Sequence, residues 1–324
     1  MSGIALQDAS MRPALRAVYR AKGGGNPSPL RAPQPSLLPT PHAIVTGLAA
    51  STAIGTLAYR RGSLTKSGVA GAILTGTTIF AAGGTVPAAL LVTFFVSSSA
   101  LSLWRRGRKT TATTVEAAKG ERRDLAQALA NGGAAAALVA LGRIAPASPW
   151  FPALVGALAT TNADTWATEI GLSNRQPPRL ITTLQPVTPG TSGGVSPLGT
   201  AAAAGGAALI GAVAALGTTL TRQRQGVSGW VLLPVSVVSG VGGAFADSLL
   251  GATVQARYRC PQCDLATERA IHRCGTPTIF VGGLRLVDND VVNFLASLSG
   301  AMLGVLCARI GARRMHGGGY GGGC

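Results

Sequence analysis

Long apolar stretches alternate with short polar segments along almost the whole chain. Eight stretches, each close to the length at which a helix crosses a bilayer, are predicted at about 43–59, 67–83, 86–104, 125–145, 150–168, 199–220, 228–252 and 291–310. Frequent Gly and Ala in these stretches favour tight helix packing, because small residues let helix backbones approach each other. The pattern predicts an all-α polytopic membrane protein with about eight transmembrane helices.

Two terminal segments fall outside this pattern and divide the chain into three parts. Residues 1–41 form a basic, Pro-rich segment, 42–312 an integral membrane domain, and 313–324 a Gly-rich tail. The first segment has five basic residues, one acid and no long apolar run, so it resembles an organelle transit peptide more than a secretory signal. We expect a chloroplast membrane on this basis, with an endomembrane, and a tail that is kept, as the alternatives.

Charge and hydropathy separate this chain from soluble and nucleic-acid-binding proteins. A mean hydropathy of +0.35 and only 12% charged residues exclude a typical soluble domain. The net charge of +17 could indicate nucleic acid, but the basic residues lie in short loops and few aromatic residues are present for base stacking. We therefore expect a membrane protein with no nucleic-acid partner, and the oligomeric state stays open.

The same basic residues predict an orientation in the membrane. Lys and Arg number 17 in the loops that follow the odd-numbered stretches and 3 in the loops that follow the even-numbered ones. Because positively charged loops stay on the cytosolic or stromal side, the odd-numbered loops are predicted to share that side. The basic segment 1–41 would lie on the opposite side, a conflict that its removal as a transit peptide would resolve.

Five polar motifs interrupt the apolar pattern, and all of them lie at helix ends or in loops on the predicted cytosolic or stromal side. They are Arg123-Asp124-x2-Gln127-x3-Asn131-Gly132, Asn162-x-Asp164-x4-Glu169, Gly190-Thr191-Ser192-Gly193-Gly194, Asp247-Ser248 and Asp288-Asn289-Asp290-x2-Asn293. Six of the 11 acidic residues in the chain belong to these motifs. Ionisable residues beside transmembrane helices are energetically costly, so they mark a candidate functional site.

Matching motifs relate the two halves of the chain, each with four predicted helices. The string LTKSGV at 64–69 resembles GTSGGV at 190–195, and Phe95-x2-Ser98-Ser99 resembles Phe245-x-Asp247-Ser248. An even number of helices in each half gives both halves the same orientation. These matches favour two parallel four-helix repeats, with chance similarity in a Gly- and Ala-rich sequence as the alternative.

The polar motifs combine residue types that suit a metal ion and phosphate. Carboxylates and side-chain amides can coordinate Mg²⁺, which prefers oxygen ligands and shares them with substrate phosphates. Asp288 and Asp290 flank a helix start, where acids also cap exposed N–H groups, so capping alone is the alternative for these two. The motif at 190–194 is rich in backbone N–H and hydroxyl donors that could cradle phosphate, with a flexible turn as the alternative.

Phosphate binding in the second half of the chain would depend on Arg rather than Lys. No Lys occurs after Lys119, and Arg binds phosphate through two parallel hydrogen bonds. The candidates on the predicted cytosolic or stromal side are Arg175, Arg179, Arg257, Arg259 and Arg285. Some of these side chains would serve topology or contact anionic lipid instead.

A separate group of metal-binding residues lies in the loop 255–290. Cys260-x2-Cys263 is followed by His272-x-Cys274. Three thiols and one imidazole match the ligands of a structural zinc site. We predict a zinc ion that staples this loop, whereas Cys307, inside the last apolar stretch, is expected to be a packed core residue.

Together the motifs resemble the transmembrane protein 19 family, formerly a domain-of-unknown-function 92 family, over roughly 43–310. This family includes the plant phytyl-phosphate kinase of vitamin E (tocopherol) synthesis. The resemblance rests on YRRGSLT at 59–65, ANGG at 130–133, ADTWATEIG at 163–171, GTSGGVS at 190–196, DSLLGA at 247–252, and DND at 288–290 followed by Asn293.

The resemblance implies transfer of a phosphoryl group from a nucleoside triphosphate, expected to be CTP, to an isoprenoid alkyl monophosphate. On this view five carboxylates would act as Mg²⁺ ligands or as their direct supports: Asp164, Glu169, Asp247, Asp288 and Asp290, with Asp164, Asp247 and Asp290 as the ligands. Substrate and phosphate would be held by Arg123, Asn131, Asn162, Arg179, Thr191, Ser192, Gly193, Gly194, Asn289 and Asn293.

Three other functions remain open at the level of the sequence. A kinase for the free isoprenoid alcohol and a CTP-dependent cytidylyltransferase would use similar groups. A secondary transporter would also combine duplicated helices with intramembrane acids. A transporter should carry ionisable groups near the bilayer midplane, whereas here they are predicted at one face, which favours the phosphotransferase.

Overall fold

The computed structural model describes residues 38–107, 122–221, 228–272 and 274–317. The segment 1–37 and residues 318–324 of the Gly-rich tail lie outside the described residues, so the transit-peptide prediction is not addressed. The described residues form eight helices: α1 (Pro41–Arg60), α2 (Lys66–Gly83), α3 (Thr85–Gly107), α4 (Leu125–Ile144), α5 (Trp150–Gly171), α6 (Pro197–Thr221), α7 (Gly229–Thr253) and α8 (Asn289–Gly317).

The all-α membrane architecture predicted from the sequence is confirmed. Among the described residues, six helices are long and apolar enough to cross a membrane, namely α1, α3, α4, α6, α7 and α8. The other two are less apolar, because α2 begins with Lys66 and contains several Thr and Gly residues, and α5 carries Asn162, Asp164 and Glu169 in its C-terminal half. Eight helices are therefore present, and a count of eight membrane spans stays a prediction.

Local signals explain where several helices begin and end. The side chains of Thr40, Thr65 and Asp124 accept hydrogen bonds from backbone N–H groups in the first turns of α1, α2 and α4, which satisfies donors that the helix itself leaves unpaired. Gly84 separates α2 from α3 with a φ of +81°. Gly tolerates this left-handed conformation, and so the chain reverses between the two helices with no loop.

Helix α5 lies at the centre of the bundle. It packs against α3, α4, α6, α7 and α8, and every residue from 151 to 163 is buried. A helix that is covered on all sides needs no polar face, which accounts for its uninterrupted apolar first half. The end of α5 is less covered, because residues 164–167 are half-buried and Thr168 is exposed, whereas Glu169 is buried.

The two halves of the chain pack differently. In the second half, α5 contacts each of α6, α7 and α8, whereas in the first half α1 packs mainly against α2, which in turn contacts α3 and α4. The internal duplication accordingly stays a prediction from the sequence motifs.

Two small sheets occupy the loops after α5 and α7. Strands β1 (Arg179–Leu180) and β2 (Gly194–Val195) pair antiparallel. Strands β3 (Arg257–Arg259), β4 (Ala266–Thr267) and β5 (Ile279–Gly282) form an antiparallel sheet in the order β4-β3-β5. These sheets place the Gly-rich motif and the Cys/His loop next to the ends of the helices.

Candidate functional site

A cavity of about 350 Å³ lies where α3, α5 and α7 end and where α4, α6 and α8 begin. Residues that come from all six helices and from the two loops line it. Its polar lining comprises Ser102, Arg105, Arg123, Gln127, Asn131, Asp164, Thr165, Thr168, Glu169, Thr191, Ser192, Ser196, Thr200, Asp247, Ser248, Gln255, Glu268, Asn289 and Asn293. The structure thus brings residues of all five polar motifs to one cavity.

An ion pair forms part of the cavity wall between α3 and α5. Arg105 Nε lies 2.5 Å from Glu169 Oε2, and Ser102 Oγ donates a hydrogen bond of 2.6 Å to Glu169 Oε1. The Arg105 side chain is 29% exposed and that of Glu169 is 12% exposed. Glu169, predicted as a metal ligand or support, therefore contacts an arginine with one oxygen and a serine with the other.

Arg123 is held from several sides at the start of α4. Its guanidinium carbon lies 5.8 Å from the centre of the Phe94 ring, within the range of a cation–π interaction. Its Nη1 donates to Ser99 Oγ at 3.4 Å, and its backbone pairs with Ser63 and Thr65. This backbone pairing joins the start of α4 to the start of α2 and fixes the position of the arginine.

The oxygen-bearing side chains of the cavity fit a hard cation that is shared with substrate. Asp164 and Asp247 line the cavity together with the amides of Asn131, Asn289 and Asn293. Among the described residues, three or more His, Cys, Asp or Glu ligand atoms come together only in the Cys/His loop. The cavity acids thus form no closed cage, and Mg²⁺ is usually bound by one or two carboxylates plus substrate phosphates.

The Gly-rich motif forms a tight loop against the end of α7. Gly193 has a φ of +83°, and a Cβ atom placed there would lie 2.5 Å from Ala252 Cβ and 2.8 Å from Ser248 O. Only Gly fits such a close approach with a left-handed backbone. Thr191 Oγ1 donates to Thr188 O at 2.8 Å, and Ser192 Oγ donates to Glu268. The loop is thus built into the cavity wall.

Four predicted site residues do not line the cavity. Asn162 is fully buried, donating to Gly206 O at 2.7 Å and accepting from Ser97 Oγ at 2.9 Å. Arg179 donates to Leu184 O at 2.8 Å. Asp288 accepts from the backbone N–H groups of Asp290 and Val291, which is a helix-capping arrangement. Asp290 also lies outside the cavity lining.

Other polar residues of the cavity were not predicted. Ser102 and Arg105 line the cavity and follow the buried Ser98 at spacings of four and three residues, which places all three along one face of α3. This polar stripe on an apolar helix is a signal that the sequence does contain. Glu268 reaches the cavity from the loop between α7 and α8, and no sequence pattern indicates that contact.

A second, apolar cavity of about 110 Å³ adjoins the polar one. Residues of α1, α2, α3 and α4 line it, including Ile54, Phe80, Leu91 and Phe94. Arg123, Gln127 and Asn131 line both cavities. A polar chamber and an apolar chamber therefore meet at three polar side chains near the start of α4.

The predicted Cys/His group does come together in the loop after α7. The ligand atoms of Cys260, Cys263, His272 and Cys274 all lie within 4.8 Å of one another. Hydrogen bonding with Thr276 and His272 lowers the pKa of the Cys274 thiol to about 6. Hydrogen bonding with Cys274, followed by burial, raises the pKa of Cys263 to about 11. Hydrogen bonds link the four residues, from Cys263 N to Cys260 Sγ, between Cys260 Sγ and Cys274 Sγ, and between His272 Nδ1 and Cys274 Sγ.

Comparison with known proteins agrees with the membrane architecture. The chain matches the family described as "Integral membrane protein DUF92" over residues 49–301. "Protein PGR" of Arabidopsis thaliana is 32% identical over 265 residues, which cover 76% of this chain and 90% of that protein. An uncharacterized membrane protein of Methanocaldococcus jannaschii is 27% identical over 152 residues, 47% of this chain and 49% of that protein.

No solved structure matches the chain. The predicted resemblance is nevertheless confirmed, because the family match extends over most of the membrane domain and the plant relative covers most of both chains. The chain belongs to the integral membrane protein DUF92 family.

Proposed function

We propose that this protein is a membrane phosphotransferase that converts an isoprenoid alkyl monophosphate into the diphosphate. The observation that carries the proposal is the junction of the two cavities at Arg123, Gln127 and Asn131. An amphiphilic substrate needs an apolar chamber for its tail and a polar one for its head group. The arginine at the junction would then contact the phosphate, which lies between the two chambers.

The electrostatics of the polar cavity also suit phosphate. Arg105 and Arg123 contribute two guanidinium groups to its wall, and such groups bind phosphate with paired hydrogen bonds. The N-terminal ends of α4, α6 and α8 face the same cavity, where the helix dipoles favour anions. Acids in the same wall would repel phosphate unless a cation lies between them.

A magnesium ion would resolve that conflict between acids and phosphate. Asp164 and Asp247 are the residues proposed to hold it, with the amides of Asn131, Asn289 and Asn293 as additional oxygen donors. Bound Mg²⁺ would supply charge neutralisation on the nucleotide phosphates. Asp290, predicted as a third ligand, lies outside the cavity lining and is left out of this set.

The proposed reaction is a direct transfer. A phosphate oxygen of the alkyl monophosphate attacks the γ-phosphorus of the nucleoside triphosphate. The bond from that phosphorus to the oxygen bridging to the β-phosphate breaks, and the nucleoside diphosphate leaves with the electron pair. The attacking oxygen is already anionic, so no general base is needed, and none of the described residues that line the cavity is a histidine. Positioning and charge neutralisation by Arg105 and Arg123 would then dominate catalysis.

The identity of the substrates rests on the resemblance stated from the sequence. CTP as the donor, a phytyl-phosphate-like acceptor and a role in tocopherol synthesis come from that resemblance. A chloroplast membrane is proposed from the basic segment 1–41. The experiment must distinguish this kinase from three alternatives, namely a kinase for the free alcohol, a cytidylyltransferase and a transporter.

An assay with purified protein in detergent tests the proposal. Radiolabelled CTP or another nucleoside triphosphate is supplied with Mg²⁺ and with phytyl phosphate or phytol, and the products are separated by chromatography. We expect labelled diphosphate from phytyl phosphate, and a loss of about 100-fold or more in Asp164→Asn, because the variant lacks a carboxylate proposed to hold the Mg²⁺ that neutralises the reacting phosphates.

Asp264→Asn is the matched control for this substitution. Asp264 is an exposed acid outside the cavity, and its positive φ of 56° is one that Asn tolerates. The control should keep wild-type activity. Transfer of the phosphoryl group to phytol alone, or transfer of a cytidylyl group, would overturn the proposal. So would the absence of any phosphorylated product together with uptake of the substrate into vesicles driven by an ion gradient.

A further inference from the structure

The Cys/His loop after α7 contains two tight turns that face each other. Cys260 directly follows β3, and Cys263 lies in the turn that leads to β4. The second turn carries His272 and Cys274 and is closed by hydrogen bonds between His272 and Thr276 and from Gly275 to His272. Each turn therefore supplies two ligands, an arrangement that is common in structural zinc sites.

The distances between the ligand atoms are close to those of a tetrahedral site. Cys260 Sγ and Cys274 Sγ are 3.6 Å apart, and His272 Nδ1 and Cys274 Sγ are 3.0 Å apart. Ligands bound to tetrahedral zinc at the usual bond lengths are separated by about 3.5–3.8 Å, so the two sulfurs already fit, and the His272 nitrogen would move about half an ångström away from Cys274 Sγ when zinc binds. The backbone N–H of Cys263 donates to Cys260 Sγ at 3.5 Å, which fixes the turn that carries both of these cysteines.

Two of the four ligands are buried and two are exposed, which suits a structural metal ion. Cys260 and His272 are buried, whereas Cys263 and Cys274 are exposed. A metal ion could therefore enter from solvent and then fix the two turns to the inner pair. One disulfide could link only two of the three thiols and would leave His272 without a role.

The same loop reaches the polar cavity through Glu268. This residue follows β4 directly, and Ser192 of the Gly-rich motif donates a hydrogen bond to its carboxylate. The backbone next to Glu268 is fixed, since Thr278 Oγ1 donates to Arg269 O at 2.6 Å and Arg269 N donates to Thr267 Oγ1 at 3.2 Å. The position of Glu268 is thus set by the turns that carry the four ligands.

We infer that Cys260, Cys263, His272 and Cys274 bind one zinc ion, and that this ion holds Glu268 against Ser192 at the wall of the polar cavity. Zinc then acts on the Gly-rich motif at a distance, by ordering the loop that supports it. The zinc site stands on its own geometry, and only its effect on the cavity rests on the proposed function.

Metal content of the full-length protein in detergent tests the first half of this inference. Elemental analysis should give about one zinc per chain, as expected for a closed four-ligand site. Replacement by Co²⁺ should give the absorption bands of tetrahedral thiolate coordination. Cys263→Ser and Cys274→Ser should lose the metal, whereas the control Cys307→Ser, in α8 outside the group, should keep it.

Limited trypsin digestion tests the second half without any measurement of phosphoryl transfer. Arg179 lies in the same segment as the Gly-rich motif and is exposed, so cleavage there reports how firmly the segment is held. We expect faster cleavage after Arg179 in Cys263→Ser, and a smaller increase in Glu268→Gln, which keeps an oxygen acceptor for Ser192 but loses the charge and should retain its zinc. Cys307→Ser should be cleaved like the wild type.

The outcomes separate the inference from the proposed function. Zinc well below one per chain, equal zinc in Cys263→Ser and the wild type, or a disulfide found by mass in place of metal would overturn the site. Unchanged cleavage after Arg179 in both Cys263→Ser and Glu268→Gln would overturn the coupling. If the protein has no kinase activity but shows the expected zinc content and trypsin cleavage, the zinc inference stands and only the proposed kinase activity is refuted.

Discussion

Individual side chains in the polar cavity are held by partners that the linear motifs do not contain. Glu169 belongs to a motif, but its partners Ser102 and Arg105 come from the end of α3. These contacts were not predicted because residues 64 and 67 positions apart meet only through helix packing. The polar stripe of α3 indicates a site, and it does not reveal which acid the arginine faces.

The Arg105–Glu169 pair gives a prediction at the residue scale. Arg105→Ala should lower kcat/KM for the phosphate substrate by about 10- to 100-fold, because a charge-assisted hydrogen bond to phosphate contributes about 1.5–3 kcal/mol. Steady-state kinetics of the purified variant would measure this. Arg60→Ala is the control, since Arg60 is an exposed arginine at the end of α1 outside both cavities. An equal loss in both variants would contradict a role specific to Arg105.

Asn162 shows the limit of reading function from a polar residue in an apolar helix. The residue was predicted to hold substrate, yet its amide bonds Ser97 of α3 and Gly206 of α6 inside the core. A buried amide must be satisfied whether the partner is ligand or protein, and the sequence alone does not distinguish these cases. Its hydrogen bonds here connect α5 to α3 and α6.

Helices were easier to predict than their packing. The predicted stretches and the observed helices agree to within a few residues at most ends, because apolar runs and capping residues such as Thr65 and Asp124 are local signals. The central position of α5 could not be predicted in this way, because it depends on which other helices pack around it. Their packing buries residues 151–163.

Close contact between α5 and α8 gives a prediction at the element scale. A Cβ atom at Gly300 would lie 1.9 Å from Thr160 Oγ1 and 2.7 Å from Gly156 O. Because backbone atoms cannot move aside cheaply, Gly300→Ala should destabilise the protein by about 1–3 kcal/mol and lower its thermal midpoint in detergent. Gly133→Ala is the matched control, since its nearest atom would be 3.9 Å away. Similar midpoints for both variants would contradict the contact.

The apolar cavity among α1–α4 gives a second prediction for these elements. Ala88 lines this cavity on α3, whereas its neighbour Ala89 is exposed and does not. Ala88→Phe should fill the space for a hydrocarbon tail and raise KM for long isoprenoid phosphates far more than for short ones. Ala89→Phe should leave both unchanged. A chain-length dependence that Ala88→Phe leaves intact would place the tail elsewhere.

At the scale of the whole molecule, the site residues gather at one end of the bundle. Helices α3, α5 and α7 end there and α4, α6 and α8 begin there. These helix ends and the loops between them carry 14 of the 28 Lys and Arg residues in the sequence. The charge distribution and the cavity thus lie on the same side, which the positive-inside rule assigns to the cytosol or stroma.

That orientation predicts opposite accessibility for the two ends of α5. Ala147 lies exposed before the helix and Gln176 exposed after it. In sealed vesicles, a lysine introduced by Gln176→Lys should react with an impermeant amine reagent from the cytosolic or stromal side, and one introduced by Ala147→Lys only from the other. Peptide mass spectrometry would locate the label. Labelling of both lysines from one side would contradict the predicted topology.

The polar C-terminal half of α5 has a consequence for how the protein is made. Acidic residues within a helix make its entry into lipid from the translocon less favourable, and α5 carries Asp164 and Glu169 in its C-terminal half. In a glycosylation reporter of membrane insertion, we expect α5 to insert poorly alone and well when α3, α4 and α6 flank it. Efficient insertion of α5 alone would refute this. The residues that line the cavity would thereby make membrane insertion cooperative, because α5 would depend on its neighbouring helices to enter the membrane.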